Sequence, residues 1–182
     1  MRAIPFLLMV LVTANPAAAQ DSRWAAAKAP AVPEADGYVP IPAAAVPPSP
    51  THIYKAIFDA THAADRPDRL IPALNMAGSE LNALRVSGVP PENAQFVVVF
   101  HGAAARGVLN NETYKARFGV DNPNLSVLKE LKSTGVQLYV CGQQLASEDV
   151  DRATLAPDVE VASDALTVLM TFQNRGYALM SF

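Results

Sequence analysis

From His52 onward the apolar positions switch repeatedly between the period of a strand and that of a helix. Ile53 to Ala60 alternates weakly and ends in a polar turn. Leu70, Leu74, Ala77, Leu81 and Leu84 then recur at helical spacing, with Gly88 as a stop and Pro90-Pro91 beyond it. Phe96 to Phe100 is a continuous apolar, β-branched run, the type expected of a central parallel strand buried on both faces, and it ends at His101-Gly102. A short helical stretch around Glu112 to Phe118 follows. Asn122 then caps, and Pro123 opens, a helix that carries Leu125, Leu128 and Leu131 on one face and stops at Gly135. Val136 to Val140 reads as a strand that runs directly into Cys141-Gly142. Val159 to Val161 is a brief strand, Ser163 caps a helix bearing Ala165, Val168, Leu169 and Phe172, and Tyr177 to Met180 closes the chain as a last strand.

About five strands alternate with about four main helices over short connections, and this predicts an α/β fold: a flavodoxin-like three-layer α/β/α sandwich on a mainly parallel sheet. Parallel strands need crossover connections, and ligands in such sheets gather outside the carboxyl ends of the strands. Those ends carry Asp59 and Thr61, His101 and Gly102, Cys141 and Gly142, and Ser163.

Upstream of this domain, 51–182, lie two segments of a different kind. Arg2, the apolar stretch Ile4 to Ala14 and the small residues Ala17-Ala18-Ala19 read as a cleavable signal peptide over 1–19. The stretch is shorter than the roughly 20 apolar residues of a membrane span, so export to the periplasm with no membrane attachment after cleavage is expected. Residues 20–50 are rich in Ala and Pro, a composition that predicts a disordered arm or linker, with Trp24 and Tyr38 as its aromatics.

Cleavage after Ala19 would leave 163 residues and, through loss of Arg2, change the net charge from −3 to −4. A mildly acidic chain with scattered basic residues lacks the footprint of a nucleic-acid binder. A single cysteine in an exported chain cannot form an intrachain bridge, so Cys141 is inert and buried, intermolecular, or reactive.

Several signatures are missing. No GxGxxG follows a strand, Gly102 to Gly107 has phosphate-loop glycine spacing but continues as Val108-Leu109 instead of Lys-Ser/Thr, and there is no GxSxG. His52, His62 and His101 have no metal-ligand spacing to one another or to Cys141, and no cofactor is expected. Cys141, placed after a buried strand and beside Gly142, is the sharpest catalytic candidate. Gln143, Gln144, exposed backbone N–H groups and the helix-forming stretch near Ser147 could stabilise its thiolate, although most free cysteines are small buried hydrophobes. His101 is the candidate proton shuttle or, equally, a polar strand end. Arg106 is the candidate for holding an anionic sulfur substrate, or is simply solvated. Gly102, Gly142 and Gln143 complete the candidate substrate-binding set, while Asp59 fits ordinary turn chemistry.

Four blocks in this order, Phe96 to Gly102, Leu131 to Gly142, Pro157 to Val161 and Gln173 to Leu179, resemble the DsrE/DsrF-like family. The resemblance spans roughly His52 to Phe182. It implies homo-oligomers, trimers or hexamers, and in sulfur-relay members a cysteine that carries sulfane sulfur as a persulfide, here falling on Cys141. The partners it implies are a sulfur donor and an acceptor thiol, on proteins or small polysulfides. Relay members are typically cytoplasmic and some members lack the cysteine, so two readings stand. One is a periplasmic sulfur carrier or sulfurtransferase. The other is a non-catalytic oligomeric binding or scaffold module in which Cys141 is structural or redox-sensing.

Overall fold

The computed structural model describes residues 24–182; the signal-peptide expectation falls on 1–19, outside them. Five strands, β1 (Tyr54–Ala60), β2 (Ala94–Phe100), β3 (Gln137–Cys141), β4 (Glu160–Ala162) and β5 (Ala178–Ser181), form one sheet in the order β4-β3-β2-β1-β5. Every pairing is parallel. Five helices connect them: α1 (Pro72–Val86), α2 (Asn111–Phe118), α3 (Leu125–Ser133), α4 (Gly142–Ser147) and α5 (Ala165–Asn174).

The period-two alternation of the strands sorts their side chains into two cores. Phe58, Phe96, Val98, Phe100, Leu138 and Val140 point to the side covered by α1 and α3 and pack with Leu74, Leu84, Leu128 and Leu131. Ile57, Val97, Val99 and Cys141 point to the other side, where Ala165, Val168, Leu169 and Phe172 of α5 meet them. The result is the expected three-layer sandwich. Its second layer is thin, because α5 alone carries the chain from β4 at one edge to β5 at the other and in doing so crosses β3, β2 and β1. The chain steps outward from β1 to β4 and then returns to the far side of β1. The sheet's switch point therefore lies between β1 and β5, where Phe182 N–H donates to the Asp59 carbonyl.

Two caps differ from the sequence expectation. Asp164, one residue after Ser163, caps α5, its Oδ1 accepting from Thr167 N–H at 2.7 Å. Asn122 caps no helix and is buried, donating through Nδ2 to the carbonyls of Gly107 and Leu109. A carboxylate and an amide compete for the same capping geometry with any hydroxyl beside them, and local spacing alone does not decide between them.

The Ala/Pro-rich arm is the larger correction. Its described part, from Trp24, is not a free tether: Val32 is 0 % exposed and Ala35 is buried against α1. Lys28 and Tyr38 exchange a pair of backbone hydrogen bonds that closes the segment on itself. Asn82, fully buried on α1, accepts from the Ala31 and Val32 N–H groups and donates to the carbonyls of Val32 and Asp36. Gly78 makes the approach possible, since a Cβ there would stand 2.5 Å from that of Ala35. Prolines remove donors from the arm, and amide side chains of α1, the buried Asn82 and the exposed Asn75 that bonds Asp36, supply hydrogen bonds that secondary structure would otherwise provide.

Candidate functional site

At the carboxyl ends of the three central strands, the side facing α5 carries three polar or reactive groups at strand spacing. On β1, Asp59 lies two residues beyond Ile57. His101 lies two residues beyond Val99, with extended backbone (φ −151°, ψ −179°) that continues the alternation of β2. On β3, Cys141 lies two residues beyond Tyr139 on the same face. Phe100 and Val140 are the last pair of the β2–β3 register, and His101 and Cys141 are the residues that follow them. His101 Nε2 and Asp59 Oδ1 are 2.6 Å apart, with side chains 26 % and 17 % exposed.

That hydrogen bond fixes the chemistry of the imidazole. An ionised carboxylate only accepts, so Nε2 carries the proton, and in the neutral ring Nδ1 is the basic nitrogen. The sequence suggested His101 as a shuttle but treated Asp59 as turn chemistry. The signal that would have found it is the shared phase of Ile57-Asp59 and Val99-His101 on neighbouring strands.

Cys141 itself is 7 % exposed, held among Ile57, Val97, Val99 and the α5 residues Ala165, Val168, Leu169 and Phe172. The sulfur lies just inside the rim of the sheet. Gly142 and Gln143 brace this end. A Cβ on Gly142 would stand 2.6 Å from the Ala162 carbonyl oxygen, so only glycine lets β3 end this close to the turn between β4 and α5. Gln143 Nε2 donates to the Ser163 carbonyl at 3.4 Å. Gly102 adopts φ +53°, turning the chain sharply after His101 to pass beside the Thr61 carbonyl.

Arg106 is not drawn to the sulfur. It forms an ion pair with Glu148 (3.1 Å) and lines a cavity with Ile71, Tyr114 and Asn124, on the side of the sheet covered by α1 and α3. His62 instead meets Thr61 Oγ1, and His52 packs edge-on against Tyr54, so neither joins the His101 group. Among the described residues no group of three or more His, Cys, Asp or Glu side chains is placed to hold a metal ion, and no helix is long and apolar enough to cross a membrane.

The DsrE/DsrF-like family model matches residues 55–182. The chain belongs to the DsrE/DsrF-like family. This member also resembles two solved structures. One is the protein of unknown function MTH1491 from Methanobacterium thermoautotrophicum, with 19 % identity, a TM-score of 0.53 and coverage of 71 % of this chain and 99 % of that one. The other is the ychN protein from E. coli, with 16 % identity, a TM-score of 0.47 and the same coverages. The first likeness supports the fold. No curated protein matches the chain. At the family level, membership links this DsrE/DsrF-like chain to sulfur relay.

Proposed function

We propose that the chain is a periplasmic sulfur carrier that holds sulfane sulfur as a persulfide on Cys141. The observation that carries this reading is the Asp59–His101 pair, on the same sheet face as the thiol, with His101 and Cys141 both following the last β2–β3 pair. In the reaction, the Cys141 thiol gives its proton to His101 Nδ1, and Asp59 stabilises the imidazolium. The thiolate attacks the outer sulfur of a donor persulfide or polysulfide. The S–S bond of the donor breaks, its remaining thiolate leaves and takes the proton back, and Cys141 keeps one added sulfur. The exchange needs no external oxidant or reductant, and delivery to an acceptor thiol runs the same steps in reverse. The shielded position of the sulfur protects the persulfide from water and stray thiols.

Leu166 and Met170 on α5 and Leu179 on the edge strand β5, in register with Ile57, are exposed, and they support assembly into a homo-oligomer, trimer or hexamer, over this side. The depth of Cys141 favours a second reading, a non-catalytic oligomeric binding module in which the thiol only fills the layer beneath α5. Intact-mass measurement of native protein after polysulfide treatment decides between them. Gain of one sulfur atom, absent in Cys141→Ser, is expected of a carrier; a native thiol that stays unmodified while the denatured one reacts overturns it.

A further inference from the structure

A cavity of about 130 Å³ opens beside the turn that follows β2, beginning at Ala103, two residues after His101. Three arginines, Arg66, Arg69 and Arg106, are among its lining residues, with Ile71, Tyr114 and Phe118 as large apolar or aromatic neighbours. In a chain of net charge −3, this concentration of positive charge is local and specific.

Two of the three arginines are held in place. Arg66 is paired through two nitrogens with Asp68, and Arg106 with Glu148, whose carboxyl also accepts from Gln144 and is held below the usual range chiefly by the Arg106 hydrogen bond. Arg69 is different: among the described residues its guanidinium has no hydrogen-bond or ion-pair partner. Asp68 pairs with Arg66 and Glu148 with Arg106 and Arg117, whereas Arg69 lies within reach of Asp68 only through longer-range attraction.

The walls are fixed by buried amides. Ile71 N–H donates to Asn124 Oδ1, Asn124 Nδ2 to Asn122 Oδ1, and Asn122 Nδ2 to the carbonyls of Gly107 and Leu109. Tyr114 Oη donates to the Pro67 carbonyl at 2.8 Å and anchors the loop that carries Arg66 and Arg69. Two of the three buried polar side chains among the described residues, Asn122 and Asn124, therefore tie together the segments around this one space. A fully satisfied buried network of this kind holds the cavity walls in one arrangement, while the arginine side chains at its mouth stay exposed to solvent. The volume is well below the roughly 300 Å³ at which drug-sized ligand pockets begin, so the occupant is small.

We propose that this cavity is a binding site for a small oxyanion, one whose oxygens share a single carbon, sulfur or phosphorus centre and accept paired hydrogen bonds from Arg69 with Arg66 or Arg106. The site is distinct from the sulfur chemistry at Cys141 and does not depend on it. Amide chemical-shift titration of the full chain with sodium sulfate, at ionic strength held constant with sodium chloride, tests it; thiosulfate, phosphate and acetate arms identify the preferred centre. Saturable shifts at Gly107, Tyr114 and Asn124 are expected. Arg69→Gln should weaken them at least tenfold. Gly107→Ala, whose new methyl collides with Ile71 Cδ1 and drives that side chain into the cavity, should do the same, and Cys141→Ser should leave them unchanged. Shifts that grow linearly without saturating, an unaltered response in Arg69→Gln, or loss in Cys141→Ser would each overturn the assignment.

Discussion

Asp59 and Cys141 show how a residue's meaning changes once its strand phase is known. Read along the chain, an Asp before Ala-Thr-His is turn chemistry. Read across the sheet, it is the group that holds His101 with Nδ1 free as a base. Asp59→Asn keeps the size of the side chain but allows its amide to donate, which reverses the preferred tautomer and points the N–H of the ring at the wrong partner. Persulfide formation on Cys141, followed by stopped mass measurement, is therefore expected to slow in Asp59→Asn and, on the order of 10²-fold, in His101→Ala. Equal rates in all three proteins would remove the dyad from the reaction. Cys141 was legible as the end of a buried strand, because Val136, Leu138 and Val140 alternate as apolar positions in the run that leads into it. Its depth was not, because α5, which covers it, arrives from the opposite edge of the sheet some 24 residues later, at Ala165.

At the scale of elements, all five strands stand within one or two residues of where the hydrophobic runs placed them, the central ones because burial on both faces leaves a strong apolar signature. The arm from Trp24 to Pro50 was illegible for a physical reason. Its order comes neither from propensity nor from periodicity but from distant side chains, the buried Asn82 with Asn75, Asn93 and Tyr54, and from the space left by Gly78. Asn82 sits in a helix whose pattern only says that a buried position is occupied by an amide. Removing that amide leaves the Ala31 and Val32 N–H groups and the Asp36 carbonyl short of partners, while the Val32 carbonyl still accepts from Ala35 N–H, at about 1–3 kcal/mol for each unpaired group that stays buried. The arm relieves that cost by lifting into water, while the helix beneath it persists. Asn82→Ala is accordingly expected to raise hydrogen exchange at Ala31 and Val32 on the order of 10- to 100-fold, with exchange in β2 nearly unchanged. Uniform acceleration through the sheet would mean that the arm is instead an integral part of the core.

For the whole molecule, the contact between arm and α3 adds a dependence on protons. Glu130 on α3 has a buried Oε2 with no donor, and the carboxyl facing it is Glu34 of the arm. Burial first, and then the Glu34 carboxyl, push Glu130 up from 4.5 to about 7. Two carboxyls can hydrogen-bond only while one of them is protonated. The folded state therefore binds a proton that the unfolded chain releases near pH 4.5, and the unfolding free energy falls as pH rises toward and through 7. Carboxyls held low act in the opposite sense and at lower pH: Asp164 through the Thr167 N–H, Asp121 through Asn111, Glu148 through Arg106. Above pH 5 their contribution is already complete. Glu80, raised by its burial beside Met76 and Phe58, adds to the decline, so the Glu34–Glu130 part is isolated by difference. Urea midpoints between pH 5 and 8 are expected to fall in the native sequence and to fall less in Glu130→Gln. Glu34→Gln should gain stability at pH 8, because its amide donates to the ionised Glu130 and replaces the missing proton. A pH slope in Glu130→Gln equal to that of the native chain would place the proton elsewhere in the molecule.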